Sequence, residues 1–181
     1  MASETHPLVS LAIRSIKHHI EKGQPLPCPD PLPKAMNIQA GTFVSIKKNK
    51  LLRGCIGTVS PKYANIAEEV IQNAIKAASE DPRFPPIEKK ELDQLTISVD
   101  VLTAPEKIDD TSSSDVKRYG LIVRHKGRQG LLLPDLENIK SVDQQLKVCL
   151  KKGGIKESDP YELFRFQVKR FHQRDAGSNE P

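Results

Sequence analysis

Residues 51–58 read LLRGCIGT, which places a guanidinium, a thiol and two positions without side chains within five residues. Glycine weakens a strand interior, and cysteine fills a small core site less well than valine. Either the backbone is crowded here or the thiol is presented to something. On an extended chain successive side chains face opposite sides. Leu52, Gly54, Ile56 and Thr58 then share one face, with Leu52 and Ile56 expected in the core. Leu51, Arg53, Cys55, Gly57 and Val59 share the other. At ~3.3 Å per residue, Arg53 and Cys55 stand about 7 Å apart along the strand. Gly57 leaves a space beside the sulfur for a ligand or a neighbouring backbone. A guanidinium near a thiol favours the thiolate, the nucleophilic form. Cys55 is therefore the candidate nucleophile, at the edge of a concavity shared with Arg53, and Arg53, Gly54 and Gly57 are candidate binding positions. The competing reading makes Cys55 a small packed hydrophobe and the glycines a relief of crowding. Spacing alone leaves both open.

A second candidate is Arg83 in DPRFPP, residues 81–86. Prolines fix the backbone there, so the arginine is either a pre-organised anion donor or half of a salt bridge with Asp81. Cys149 falls on the apolar stripe of a helical segment and reads as core. Cys28 lies among prolines and reads as structural or incidental. His18 and His19 are adjacent, so they point about 100° apart on a helix and lack the i, i+4 spacing of a metal pair. There is no CxxC pair, and no P-loop, GxGxxG, HExxH or GxSxG motif. No metal or cofactor is expected.

The elements that position these residues are legible from periodicity. Leu8, Ala12, Ile16 and Ile20 predict a helix over 8–22, ended by Gly23. Alternating prolines from Pro25 to Pro33 predict an extended path. Strands are expected at 42–46 and 51–58 around a polar tip at 47–50, then a helix over 62–79 with the stripe Ile66, Val70, Ala74 and Ala77. A strand follows at 96–102, and DDTSSSD at 109–115 reads as a solvated loop. GLIVRH and GLLLP suggest a second hairpin across 126–128, and Ser141 with Gln144 opens a helix over 141–152. LFRFQVKRF, 163–171, reads as one last strand. Strands in adjacent pairs mixed with helices favour an α+β fold, with a mainly antiparallel sheet flanked by helices.

The 181 residues suit one globular domain, and a net charge of +5 permits an anionic partner without requiring one. Three scattered cysteines, no leader pattern and no long apolar run predict a cytoplasmic chain that makes no use of a membrane. The basic tips, Lys47, Lys48, Lys50 and Arg124, Lys126, Arg128, lack the interleaved aromatics that stack on bases, so nucleic acid is not the favoured partner. An anionic small molecule remains a candidate.

Taken in order, GTFVSIKKNKLLRGCIGTVSP, EEVIQNAIKAASEDPRFPPI, ELDQLTISVDVL and GLLLPDL resemble the AMMECR-one domain family, and protein A of the AmmeMemoRadiSam system in prokaryotes. The resemblance covers residues 8–172 and leaves 173–181 as a polar tail. It implies an α+β domain with an antiparallel sheet, divided into a larger and a smaller subdomain. It also implies that residues 52–57 form the family's central motif, and that Memo-like and radical-SAM proteins are partners. It supplies no reaction. The chain departs from the family pattern at Tyr119, where members often carry His or Asp, at Asp135, and at Gly153-Gly154. A histidine–cysteine dyad through position 119 is therefore unavailable. Two hypotheses follow: an enzyme with Cys55 in a ligand or active-site cleft, or a non-catalytic binding module in which the motif is structural.

Overall fold

The computed structural model describes residues 5–173. Most of the expected tail, 174–181, lies outside them. The chain divides into two compact units, Met1–Val101 with Lys169–Pro181, and Leu102–Val168. Each has its own four-stranded antiparallel sheet. The fold is α+β, as expected, although with two sheets.

In the first unit the strands are β1 (Thr42–Lys48), β2 (Leu51–Thr58), β3 (Leu95–Leu102) and β8 (Val168–His172), in the order β2-β1-β3-β8. Helix α1 (Pro7–Lys22) has proline in its first turn, a His6 side chain accepting from the Leu8 N–H, and a left-handed Gly23 at its end. Helix α2 (Ile66–Ser79) packs on β1 and β2 with the predicted stripe buried. It begins four residues later than expected. The N–H groups of Lys62 and Tyr63 donate to the Glu69 carboxylate at 2.8 and 3.0 Å, and Asn65 caps the helix. The buried Glu69 also accepts from the Thr58 hydroxyl, while Asn73 Nδ2 donates to the Thr42 carbonyl and hydroxyl. These side chains fix the helix to the two strands beneath it.

The second unit holds β4 (Glu106–Ile108), β5 (Gly120–His125), β6 (Arg128–Leu132) and β7 (Glu162–Phe166), in the order β4-β7-β5-β6, with α3 (Val142–Gly153) against β5 and β6. Cys149 is fully buried there, as its stripe position predicts, and burial pushes its thiol up to about 12.

One expectation is overturned. LFRFQVKRF is two strands in two different sheets, β7 and β8, broken at Gln167. The Gln167 N–H donates to Thr103 Oγ1 at 2.9 Å, and its carbonyl accepts from the Thr103 N–H at 2.9 Å. Both backbone groups are thereby withdrawn from either ladder. Among the described residues, no helix is long and apolar enough to cross a membrane.

Candidate functional site

Strand β2 does not keep simple alternation. Ile46 pairs with Gly54 but Lys47 pairs with Leu52, so Arg53 is the extra residue of a bulge. A bulge re-aims every side chain beyond it. Gly54 and Thr58 are buried on the expected core face, and Ile56, expected in the core, is only partly buried against it. Leu52 is transferred to the face of Cys55 and is 41% exposed, so the expected core position is wrong.

The other face of the sheet carries the candidate nucleophile. Cys55, Ser45 and Ser98 are paired across β2, β1 and β3, so they stand abreast. Cys55 Sγ lies 3.2 Å from Ser45 Oγ. In the next row Gly57 pairs with Phe43, and Phe43 with Asp100. The space that Gly57 leaves is filled by the Phe43 ring: a Cβ at 57 would lie 2.2 Å from a ring carbon. The buried Asp100 is held by Arg170, with Nε–Oδ1 at 2.7 Å and Nη2–Oδ2 at 2.8 Å.

The Arg53 guanidinium is held within the chain. It forks onto Glu91, with Nε–Oε1 at 3.1 Å and Nη2–Oε2 at 3.0 Å, and donates to the carbonyls of Pro85 and Pro86 at 2.8 and 3.3 Å. Lys48 Nζ completes the cluster 3.0 Å from Glu91 Oε1. The Arg53 guanidinium, helped by the Glu88 N–H and by Lys48, holds the Glu91 carboxyl down to about 2. Glu91 escaped the sequence reading, although its pairing with Glu88 in the capping box of the 3-10 helix Lys89–Gln94 was a local signal.

Arg83 forms the second alternative offered for it. Its Nε and Nη2 bind Asp81 at 3.0 and 2.7 Å, and Nη2 reaches the Cys55 carbonyl at 3.4 Å. The Cys55 N–H in turn donates to Asp81 Oδ2 at 2.9 Å. Because β2 is an edge strand, this pair caps the outward backbone groups of Cys55, which would otherwise invite a further strand. The Arg83 guanidinium holds the Asp81 carboxyl well below the usual carboxylate range.

Burial, the largest influence, pushes the Cys55 thiol up, and Asp100 and Asp81 add to it. The Ser45 hydrogen bond and Arg83 oppose this without reversing it. With Cys28 and Cys149 replaced by alanine, Cys55 is expected to alkylate more slowly at pH 7–8 than a free thiol of pKa about 8.5. Iodoacetamide rates against pH check this. Labelling faster than that of glutathione at neutral pH would reverse the reading. Among the described residues no group of three or more His, Cys, Asp or Glu side chains could hold a metal ion. A groove of about 550 Å³ lies elsewhere in the first unit, lined by Ile13, Lys17, Lys89, Asp93 and Gln173 among others, with none of its lining drawn from the motif.

The AMMECR1 family's sequence model matches residues 9–171. The chain belongs to the AMMECR1 family. It is 43% identical over 169 residues to a Thermotoga maritima protein, covering 92% of this chain and 97% of the relative. A Clostridium acetobutylicum protein is also 43% identical over 169 residues, but the match spans only 36% of that longer protein. A Methanothermobacter thermautotrophicus protein is 35% identical over 182 residues, covering 94% of each chain. The crystal structure of an uncharacterized Pyrococcus horikoshii protein matches with a TM-score of 0.78 and 31% identity, over 92% of this chain and 89% of that one. The α+β architecture is thus shared within AMMECR1 relatives, and those relatives come without an assigned reaction.

Proposed function

We propose that the chain is a non-catalytic binding module in which LRGCIGT is architectural. One observation carries this reading: the motif's polar and small residues are engaged within the chain. Arg53 is bound by Glu91, Pro85 and Pro86, Gly54 lies against the Ala77 carbonyl, Gly57 lies under Phe43, and the Cys55 backbone is capped by Asp81 and Arg83. Arg83, Arg53 and both glycines then frame the strand and do not receive an anion. The nucleophile reading keeps one observation in its favour, the half-buried Cys55 thiol beside Ser45.

The docking surface favoured by the geometry is the β1–β2 tip. Leu51 is 73% exposed and Leu52 41%, two adjacent large apolar side chains left in water. Lys47 and Lys50 are exposed beside them, and among the described residues neither makes an ion pair. Asn49 and Lys50 both have positive φ, 51° and 67°. A two-residue turn of this kind prefers glycine at its second position, so the lysine stands there at a conformational cost. In the second basic tip Arg124 lies over Phe164, and Arg128 binds the Gly154 carbonyl and Asp159. The partner that suits the first tip is an acidic protein surface with an apolar contact, and the Memo-like and radical-SAM proteins are the partner class to try first.

Isothermal titration with a Memo-like protein from the same cell tests this, using the wild type, C55A and K50E/L51S. C55A is expected to bind within about twofold of the wild type, and K50E/L51S at least about tenfold more weakly, as loss of an anchor implies. Loss of binding in C55A with a normal K50E/L51S overturns the reading. Absence of wild-type binding overturns the partner class.

A further inference from the structure

The loop 109–115, DDTSSSD, is ordered by its own hydrogen bonds. The Ser112 N–H donates to Asp110 Oδ1 at 2.7 Å and the Ser114 N–H to the Thr111 carbonyl at 3.1 Å. Beyond it, the Lys117 N–H donates to Asp115 Oδ1 at 2.9 Å. The three serines are not equivalent. Ser114 Oγ is buried without a hydrogen-bond partner. Ser112 and Ser113 are exposed. Ser113 is the one whose hydroxyl meets a guanidinium: Arg165 Nη1 lies 3.2 Å from its Oγ and 3.0 Å from its carbonyl. The rest of that guanidinium forks onto Glu106, with Nε–Oε2 at 3.0 Å and Nη2–Oε1 at 3.2 Å. Arg165 also lies 4.4 Å from the centre of the Tyr119 ring, and Arg118 lies 5.2 Å from the same centre. The Arg165 guanidinium therefore lies against an exposed serine, on a segment flanked by Asp109, Asp110 and Asp115.

We propose that Ser113 is a phosphoacceptor site, modified by an acidophilic protein serine kinase with MgATP, and that Arg165 holds the phosphoryl group. Ser113 Oγ attacks the γ-phosphorus, the bond to the β–γ bridging oxygen breaks, ADP leaves, and the hydroxyl proton passes to the kinase's base. The product carries a charge of about −1.5 to −2 and three strong acceptor oxygens. Arg165 Nη1 already faces the acceptor, so binding the phosphoryl group needs little more than rotation of one serine side chain. Glu106 is the competitor for the guanidinium. Its side chain is 61% exposed and carries a single negative charge, so the dianion displaces it into water. Strand β4 keeps its ladder to β7 and the Lys107–Glu162 ion pair without it.

The test installs phosphoserine at position 113 of the full chain by genetic code expansion and follows its ³¹P resonance with pH. An unperturbed phosphoserine titrates near pH 6. The expected midpoint is lower by about half a unit or more, roughly threefold in proton affinity. R165Q moves it back up, and E106Q, which frees the guanidinium, moves it further down. A midpoint at or above that of a free phosphoserine peptide overturns the proposal, as does a lowered midpoint that R165Q leaves unchanged. E106Q keeps the test decisive if R165Q fails to fold, because a midpoint that it does not lower also overturns the proposal. In a second arm the unmodified chain is incubated with an acidophilic kinase and MgATP and mapped by mass spectrometry. Phosphate on Ser113 is expected, and phosphate on Thr111 or Ser112 with Ser113 untouched overturns the assignment.

Discussion

Gly54→Ala is expected to cost the first unit about 3 kcal/mol or more, near the upper end of what overpacking a core produces. A Cβ at 54 would sit 2.2 Å from the Ala77 carbonyl oxygen and 3.2 Å from its carbon. Both are backbone atoms of α2, so no rotamer relieves the overlap, and the helix must move off the strand. That movement is opposed on the same helix by Glu69, bound to Thr58 and to the Lys62 and Tyr63 N–H groups, and by Asn73, bound to Thr42 and Thr58. The loss is a large share of the roughly 5–15 kcal/mol that holds an ordinary domain together. Urea unfolding followed by circular dichroism measures it. A midpoint within about 0.5 kcal/mol of the wild type, the range of a neutral surface change, would show that the close approach of β2 and α2 is not rigid.

Arg53→Met is expected to cost about 3 kcal/mol, the lower range for breaking a buried pair from one side. The arginine side chain is 14% exposed and that of Glu91 10%, so the carboxylate left behind stays largely out of water. Lys48 and the Glu88 N–H still reach it, which limits the loss. The Pro85 and Pro86 carbonyls lose their donor. Arg53→Lys keeps the charge but cannot make the fork, and should recover only part of the loss. The double variant Arg53→Met/Glu91→Met should be more stable than the sum of the two single changes, because it removes the stranded charge. Additive single costs in that cycle would mean that the pair does not work as a unit. A folded, stable Arg53→Met that loses partner binding would instead return Arg53 to the role of a ligand-binding residue.

What the sequence revealed and what it hid divides by contact range. The apolar, Ala-rich stripe of α2 and the hairpin of β1 and β2 depend on neighbours within a few turns of chain and are readable locally, and the Asp81–Arg83 pair is one of the two local readings that Arg83 admits. The bulge at Arg53 is not. Alternation argues for Leu52 in the core, and the change of phase comes with a pairing to Glu91, 38 residues away. The break at Gln167 is hidden in the same way, because it is made by Thr103, 64 residues away. Phe164, Phe166 and Val168 keep perfect alternation across it. At the candidate site the sequence placed the motif on the right strand. Composition did not show that Phe43 fills the place beside Gly57, or that the arginine touching the Cys55 backbone is Arg83 and not Arg53.

The division of one apparent strand at Gln167 also bears on how the protein is made. Strand β8 is a neighbour of β3 in the first sheet, yet residues 103–167 are synthesised between them. At roughly 5–20 residues per second, a ribosome needs several seconds to cross that interval. Throughout it, the outer edge of β3 lacks its partner strand, and Asp100 has no Arg170 to receive it. The second unit's sheet and helix draw only on chain already made by then, so they can close first. The nascent protein therefore carries an open β edge with an uncompensated carboxylate until β8 emerges. The charge at that edge discourages a neighbouring nascent chain from adding a strand in place of β8.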